Sequence, residues 1–237
     1  MIKNNYTEVL DTNFGKIIIF NTDTNQGTYY KKNKKHIDQN HIDRLASIVK
    51  ELDSPIIVDV GANLGWFSLE LKHANSSSTI YAFEPQKSLF YAFCGSAALN
   101  CYTKMHIFNM ALGNKNDTID IPVFDYSITS NFGGVEIDPD KKHKEYIGQS
   151  ATLFEPVLLC TLDSFNFSKL DLLKIDVEGM ETKVLEGAVE TIKRCKPIIF
   201  IEFLKSDVKV LTTQIQKLGY EIKEVLTENF LCFPLDR

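Results

Sequence analysis

Cysteine is scarce in this sequence of 237 residues, and its five copies are widely spaced. They are Cys94, Cys101, Cys160, Cys195 and Cys232, and no two of them form a C-x-x-C pair. An odd number of isolated cysteines is not the pattern of a disulfide framework or of a zinc site. We therefore expect reduced thiols, which are typical of a cytoplasmic protein.

Long hydrophobic runs are missing as well. No apolar stretch approaches the roughly 18 residues that a transmembrane helix needs. The first six residues contain no hydrophobic segment of the kind found in a signal peptide. The sequence therefore predicts a cytoplasmic protein that has no membrane span and is not secreted.

The sequence also has no excess of positive charge. Its 26 Lys and Arg residues are outnumbered by 31 Asp and Glu residues, which gives a formal net charge of −5. Lysines cluster at 31–35 and 141–144, but a short run of like charges is usually a solvated face. Because non-specific nucleic-acid binding depends on positive charge, we expect no nucleic-acid partner.

What the sequence does contain is an alternation of strand-like and helix-like segments. Its length, with 44% hydrophobic and 24% charged residues, suits a single domain spanning residues 1–237. The alternation predicts an α/β fold, with helices on both faces of a doubly wound, mostly parallel sheet. The predicted parallel strands are residues 56–60, 79–83, 106–111, 170–176 and 197–203, followed by closing strands at 220–226 and 229–233.

Two regions fall outside this repeating pattern. Residues 1–52 are predicted to form a cap that consists of a strand at 14–20, a polar loop and a helix at 37–52. Residues 114–160 are rich in Gly, Pro and polar residues, which predicts an insertion of hairpins and loops between the third and fourth strands. Loops on a rigid scaffold commonly carry specificity, so we expect this insertion to form a substrate-binding site.

The first predicted strand ends in a glycine-rich turn, D-x-G-x-N-x-G, that leads into a helix. Gly61 and Gly65 allow the backbone to approach a ligand closely, and Asn63 tolerates a positive φ. A dinucleotide site needs a small residue where this chain has Trp66, so a pyrophosphate-binding site is disfavoured. About 20 residues further on, Glu84 ends the second strand, where a Rossmann-type site places the acid that binds a ribose.

Polar residues at the other strand ends are the remaining candidates, because ligands bind outside the carboxyl ends of parallel strands. Asp176 and Glu178 follow the fourth strand, and Glu202 ends the fifth. Three converging carboxylates suit proton abstraction from a hydroxyl group or ligation of a hard cation such as Mg²⁺. The alternative is that Asp176 or Glu178 only caps the following helix. The spacing fixes no ligand geometry, so a metal requirement stays open.

Taken together, these motifs resemble the FkbM family of S-adenosylmethionine (SAM)-dependent methyltransferases, which have the class I, Rossmann-like fold. The resemblance covers residues 56–203. The segments that carry it, in order along the chain, are Val58 to Gly65, Phe83 to Pro85, Ala111 to Gly113, Thr161 to Asp163, Leu173 to Gly179 with Glu181, and Ile201 with Glu202.

The resemblance implies SAM as the cofactor and assigns roles to the strand ends. Around the methionine moiety it places Asp59, Gly61, Ala62, Asn63 and Gly65. It places Glu84 on the ribose and Asn109, Met110 and Ala111 beside the adenine. Asp176 would face the reactive end of the cofactor. The insertion, including the rings of Phe124, Tyr126, Phe132 and Tyr146, would line the acceptor site, although these aromatics suit a small satellite core equally well.

The leading hypothesis is therefore an O-methyltransferase that acts on a carbohydrate or glycosylated metabolite, with Asp176, Glu178 and Glu202 as the catalytic candidates. A methyltransferase of nucleic acid is an alternative, which the acidic balance and the absence of an Asn/Asp-Pro-Pro-Tyr/Phe motif disfavour. A second alternative is a SAM-binding scaffold without catalysis. The sequence does not identify the acceptor or the oligomeric state.

Overall fold

The computed structural model describes residues 6–140, 149 and 152–236. The strands, in chain order, are β1 (Thr7–Thr12), β2 (Gly15–Phe20), β3 (Ile56–Val60), β4 (Thr79–Phe83), β5 (Met105–Phe108), β6 (Ala111–Leu112), β7 (Asp117–Val123), β8 (Leu153–Cys160), β9 (Leu172–Ile175), β10 (Ile198–Glu202), β11 (Tyr220–Leu226) and β12 (Asn229–Pro234). The helices are α1 (Gln26–Asn33), α2 (Gln39–Lys50), α3 (Trp66–Ala74), α4 (Lys87–Leu99), α5 (Glu181–Glu186), α6 (Val189–Cys195) and α7 (Val208–Lys217).

Seven strands form the central sheet, in the order β11-β12-β10-β9-β3-β4-β5. The five strands from β10 to β5 are parallel, and β12 pairs antiparallel with β10 and β11. The chain starts the sheet at β3 and later returns to the opposite side of β3 with β9, so the strand order reverses between these two strands. Open α/β sheets bind ligands at such a reversal. The predicted doubly wound, mostly parallel sheet is confirmed.

The apolar composition of the central strands explains their position. β3 and β9 are almost fully buried, as expected for parallel strands with helices on both faces. The helices place their apolar stripes on the sheet. In α2, for example, Ile42, Leu45 and Val49 are fully buried.

The N-terminal region has more structure than the sequence predicted. The predicted strand at 14–20 is β2, but it pairs with β1 in an antiparallel hairpin. This hairpin lies on α4, where the N–H of Ile18 donates to the Ser96 hydroxyl oxygen at 2.9 Å. The predicted polar loop before α2 contains α1, so that prediction was wrong. The tertiary contacts that bury Tyr30 stabilise α1, and its own sequence shows no strong apolar periodicity.

Two other predicted elements are each divided in two. The third strand stops at Phe108, and the amide of the next residue, Asn109, donates to the carbonyl oxygens of Glu84 and Pro85, at 3.0 and 2.7 Å. The chain then continues as β6, which pairs with β8 in a separate three-stranded sheet with β7. This small sheet is the predicted insertion hairpin. The helix after β9 is interrupted at Gly187, which packs against the carbonyl group of Gly113.

Among the described residues, no helix is both long enough and apolar enough to cross a membrane.

Candidate functional site

A cleft of about 1030 Å³, including its open mouth, lies at the carboxyl ends of β3, β4, β9 and β10. The sheet supplies its floor, while the N-terminal region and the insertion supply its walls. The predicted site residues on its lining are Gly61, Ala62, Asn63, Glu84, Met110, Ala111, Asp176, Glu178 and Glu202. The sequence therefore predicted most of the floor, because strand ends are identifiable from the apolar runs that precede them.

The turn after β3 has the conformation that its residue types suggest. Gly61, Asn63 and Gly65 have φ values of 77°, 52° and 86°. Two of its backbone N–H groups, those of Gly61 and Ala62, donate to the carbonyl oxygen at the end of β4, each at 3.0 Å. The turn is therefore held close to the sheet edge and lies on the cleft floor.

The two glycines of this turn are needed for packing. A Cβ at Gly61 would lie well inside van der Waals contact of the Asp176 carbonyl oxygen. A Cβ at Gly65 would overlap the ring of Phe93 in α4, and Gly65 is not part of the cleft lining. Both obstacles are protein atoms, which no local pattern in the sequence identifies. Gly61 also lines the cleft, so close approach of a cofactor there stays a prediction.

Glu84 fixes the outer part of the same turn. Its carboxylate oxygens accept the backbone N–H groups of Asn63 and Gln86, each at 2.8 Å. The residue is 4% exposed. Burial raises its pKa to about 7, against the opposing effects of the two N–H groups and of Lys174. Glu84 therefore links the ends of β3 and β4 and is a hydrogen-bond acceptor on the cleft wall.

Asp59 and Asn109 lie behind the lining, which does not include them. Asp59 is 1% exposed, accepts a 2.6 Å hydrogen bond from the Ser68 hydroxyl and forms an ion pair with Lys174 at 3.0 Å. The Asn109 amide holds the turn after β4, as described above. Both residues support neighbouring residues of the site and do not themselves face the cleft.

Lys174 is the residue at the centre of the floor that sequence reasoning missed. Its ammonium group donates to the Gly61 carbonyl oxygen at 2.9 Å and lies 3.6 Å from the Asp176 carboxylate. Burial alone would lower its pKa, but the carboxylates around it, Asp59 foremost, raise the pKa above its ordinary value. The available signal was a lysine inside the otherwise apolar strand β9, because a buried charge needs a partner.

Asp176, Glu178 and Glu202 meet beside this lysine, as predicted from the strand ends. One carboxylate oxygen from each lies within 4.8 Å of the other two. Burial raises the pKa of all three groups, and the neighbouring carboxylates add to the effect. The pKa of Glu202 rises to about 9, so this carboxyl group keeps its proton at pH 7.

The same three acids bear on the question of a divalent cation. Carboxylate oxygens are the ligands that Mg²⁺ prefers. However, Lys174 already pairs with Asp176, and Lys205 pairs with Glu178 at 2.7 Å. These two ammonium groups therefore compete with an ion for two of the three acids, although Lys174 also pairs with Asp59.

The N-terminal helices and the insertion form the upper walls of the cleft. Asn25, Gln26 and Asp38 contribute from the first region, and the second contributes Asn131, Gly133, Gly134, Val135 and Ile137. No local signal in the sequence marked the first three, because their place on the wall depends on how α1 and α2 pack. Lys205 fastens the insertion to the floor, since it also donates to the Gly134 carbonyl oxygen at 2.8 Å.

The aromatic residues of the insertion are part of the core. Phe124 and Phe132 are buried, and Tyr126 stacks on Phe132 with ring centroids 4.3 Å apart. Their alternative role as core residues is therefore the one observed, whereas polar and small residues such as Asn131 and Gly133 line the cleft. Tyr146 lies outside the described residues.

The polar groups on the cleft lining fit the cofactor that the resemblance implies. SAM has a ribose diol, a cationic sulfur and an amino-acid end. The ionisable residues of the lining are one base, Lys174, and five acids: Asp38, Glu84, Asp176, Glu178 and Glu202. A buried carboxyl oxygen of Glu202 has no hydrogen-bond partner among the described residues. An acidic cleft with an unpaired oxygen suits a cation that carries hydroxyl donors.

Two curated methyltransferases are similar to this chain in sequence. Methyltransferase 1 of Beauveria bassiana (strain ARSEF 2860) is 27% identical over 157 residues, which is 62% of this chain and 63% of that protein. Methyltransferase sdnD of Sordaria araneosa is 27% identical over 160 residues, or 58% and 61% of the two chains. The matches therefore span about three fifths of the length of these curated relatives.

A solved structure shares the fold. The crystal structure of methyltransferase FkbM from Methylobacillus flagellatus KT has a TM-score of 0.54 and 17% identity, over 76% of this chain and 43% of that one. The family model described as the methyltransferase FkbM domain matches residues 59–222, which include the floor of the cleft and the insertion. The resemblance seen in the sequence is confirmed: the chain belongs to the FkbM methyltransferase family.

Proposed function

We propose that this protein is a SAM-dependent O-methyltransferase that acts on a hydroxyl group of a carbohydrate or glycosylated metabolite. One observation carries the proposal. The carboxylates of Asp176, Glu178 and Glu202 meet within 4.8 Å, on the same cleft floor as the glycine turn and Glu84. A cofactor site and a candidate base thus share one cavity.

The cofactor would lie along the carboxyl ends of β5, β4 and β3. Glu84 would accept hydrogen bonds from the ribose hydroxyl groups, and Met110 and Ala111 would contact the adenine. The backbone of Gly61 and Asn63 would pass under the rest of the molecule. Asp59 and Gly65, which lie off the lining, would act only by holding this turn in place.

When bound, SAM supplies a methyl group on a positively charged sulfur. An alcohol is a poor nucleophile, so a base must accept its proton. We assign this role to Asp176, because its pairing with Lys174 favours the charged form while burial raises its pKa. Glu202, still protonated at pH 7, would donate a hydrogen bond to the acceptor, and Glu178 would orient it.

A small hydroxylated acceptor suits this cleft better than a nucleic acid does. Five of its six ionisable lining residues are acidic, which disfavours a phosphate backbone. The insertion wall offers the Asn131 amide together with the small residues Gly133 and Gly134. Polar groups beside small residues are suited to the hydroxyl groups of a sugar, and this supports a carbohydrate acceptor.

The experiment that tests this proposal combines binding with turnover. We expect S-adenosylhomocysteine, the product form of the cofactor, to bind in calorimetry, and methyl transfer from SAM to occur with a panel of glycosides. Turnover that is unaffected by EDTA supports Asp176, paired with Lys174, as the base. If EDTA abolishes turnover and Mg²⁺ restores it, the three acids bind a metal ion. Binding without turnover on any hydroxylated acceptor identifies a scaffold, and transfer only to nucleic acid overturns the acceptor class.

The base is tested separately by Asp176→Asn. General-base loss typically lowers turnover by about 10²–10⁴-fold, and we expect such a fall in kcat with the affinity for S-adenosylhomocysteine unchanged within about threefold. Asp120→Asn, on an exposed position of β7, is the control for an acid-to-amide change. Full activity in Asp176→Asn would reduce Asp176 to a structural residue.

A further inference from the structure

Three buried polar atoms lie between the N-terminal region and α3. They are Nε2 of His36, Nε1 of Trp66 and Oε1 of Glu70, and none of them has a hydrogen-bond partner among the described residues. The three residues are only 1%, 2% and 8% exposed. Because an unpaired donor or acceptor in the interior is costly, three of them together indicate a bound molecule that pairs them.

The packing joins these three side chains into one polar cluster. The rings of His36 and Trp66 are in contact, with centroids 5.1 Å apart. Glu70 follows Trp66 by four residues on α3, and residues at this spacing are neighbours on a helix surface. Gln39 connects the other pair. Its amide oxygen accepts the backbone N–H of His36 at 3.1 Å, and its amide nitrogen donates to the Glu70 carboxylate at 2.8 Å.

The unpaired atoms of this cluster are two donors and one acceptor. The Nδ1 atom of His36 accepts the backbone N–H of Asp38 at 3.1 Å. Burial lowers the pKa of His36 to about 4, so at neutral pH the ring is uncharged and carries its proton on Nε2. The indole N–H of Trp66 is the second donor. The free oxygen of Glu70 is the acceptor, since the other oxygen already accepts from Gln39.

This combination selects the chemistry of the bound molecule. A metal ion cannot accept hydrogen bonds from two N–H groups, and the Glu70 carboxylate would repel an anion. Water has two lone pairs for the two donors and a hydrogen for the acceptor. Buried water molecules typically make about three hydrogen bonds to groups that the protein leaves unpaired.

We propose that His36, Trp66 and Glu70 bind one buried water molecule, which accepts the imidazole and indole N–H groups and donates to the Glu70 carboxylate. The water joins the segment before α2 to the start of α3, directly after the glycine turn. Asp38 and Trp66 both line the cleft, so the water holds the upper wall in place relative to the floor. This inference does not depend on the proposed function, because it involves neither cofactor nor acceptor.

The indole N–H itself reports on the water. Trp66 is the single tryptophan of the chain, so its indole gives one unambiguous signal in a ¹H–¹⁵N spectrum of the whole protein. Burial raises the pKa of Glu70 to about 7, so spectra are recorded above that pH. We expect cross-peaks between the indole proton and the water resonance that have opposite signs in NOE and ROE spectra. This sign pattern identifies a long-lived water close to the proton and excludes direct exchange of the proton with solvent.

Tyr30→Phe is the matched control. The Tyr30 ring packs against the same indole, with centroids 5.0 Å apart, and its hydroxyl proton exchanges with water and can relay the same signal. The cross-peaks should persist in this variant. They should be lost in Glu70→Leu, which removes the acceptor, and if Glu70→Leu does not fold, the first two proteins decide.

Three results would overturn the water site. Absence of the cross-peaks in the unmodified protein would mean that the indole donates directly to Glu70. Their loss in Tyr30→Phe would assign the signal to the tyrosine hydroxyl. Their persistence in Glu70→Leu would show that the carboxylate does not hold the water.

Discussion

The turns after β3 and β9 have similar backbones and present different chemistry to the cleft. Each follows a buried parallel strand, precedes a helix and contains residues with positive φ: Gly61, Asn63 and Gly65 in the first, Glu178 and Gly179 in the second. The first turn offers mainly backbone to the cleft. The second offers the carboxylates of Asp176 and Glu178. Neighbouring strand ends can therefore contribute different groups to one site, backbone from one turn and side chains from the other.

The difference arises from which residue stabilises each turn. In the first turn, a partner from another strand does so, because the Glu84 carboxylate accepts the N–H of Asn63. In the second, a carboxylate oxygen of Glu181 accepts the N–H groups of Val177 and Gly179, at 3.2 and 3.0 Å. A cap from its own helix leaves the acids of the second turn available to a substrate.

The largest loss of stability and activity is expected from a substitution at Gly61, where the two turns are in contact. Gly61→Ala places a methyl group against the Asp176 carbonyl oxygen and also forces a non-glycine residue to φ 77°. The φ strain costs roughly 1–2 kcal/mol and the overlap roughly 1–3 kcal/mol. We expect unfolding in urea to report a loss of about 2–5 kcal/mol, together with loss of both cofactor binding and turnover.

Gly219→Ala separates the two contributions. Gly219 has a similar φ of 81°, but a Cβ there would meet nothing within 4 Å. It should lose only the strain contribution of roughly 1–2 kcal/mol and keep full activity. If both alanine variants lost the same stability, the contact between the turns would contribute nothing, and Gly61 would be required by its φ alone.

An intermediate effect, on cofactor affinity, is expected from a substitution that disturbs the first turn alone. Glu84→Gln keeps the size of the side chain but replaces one acceptor oxygen by a donor, next to the N–H of Asn63 or Gln86. Hydrogen bonds to a charged group contribute roughly 1.5–3 kcal/mol, so S-adenosylhomocysteine should bind about 10–150-fold more weakly in calorimetry. The second turn should keep its geometry.

Two features of this variant distinguish ribose binding from a purely structural role. Affinity for 5′-methylthioadenosine, which lacks the amino-acid end of S-adenosylhomocysteine, should fall equally, since that ligand keeps the ribose. In the unmodified protein, affinity should increase as pH rises through about 7, because the hydroxyl donors favour the ionised form of Glu84. A loss below about threefold, or an affinity independent of pH, would show that Glu84 only supports the turn.

The two turns also differ in how completely they can be predicted from the sequence. The apolar run of β3 and the glycines after it predicted the first turn and its strand, because local pattern determines both. The acids after β9 were identified by the same rule. Lys174 was not, because its importance depends on Asp59 and Asp176, which only the folded sheet brings beside it.

The walls of the cleft were less predictable than its floor. The sequence predicts a loop where α1 forms, since this charged and polar segment shows no apolar stripe and its stability comes from packing against the core. For the same reason nothing local marked Gln26 or Asp38 as lining residues. The rings of the insertion were candidates for an exposed pocket, but burial of Phe132 depends on contacts with Phe20, which lies far away in the chain.

The smallest effect on turnover is expected from Glu202→Gln, which changes the acid at the end of β10 that meets the carboxylates of the second turn. The folded protein holds the Glu202 proton up to pH about 9, whereas in the unfolded chain its pKa returns to the ordinary value of 4.5. Between these values the folded state binds the extra proton, so this group makes the protein less stable as pH rises. Glutamine mimics the protonated acid. The unfolding temperature of the variant relative to the parent should therefore increase steadily from pH 5 to pH 9, and kcat near pH 7 should stay within a few-fold.

Glu228→Gln, at an exposed position between β11 and β12, controls for loss of one surface charge. A constant difference across this pH range would mean that Glu202 is ionised in the folded protein, and Asp176 would then share its site with a second negative charge.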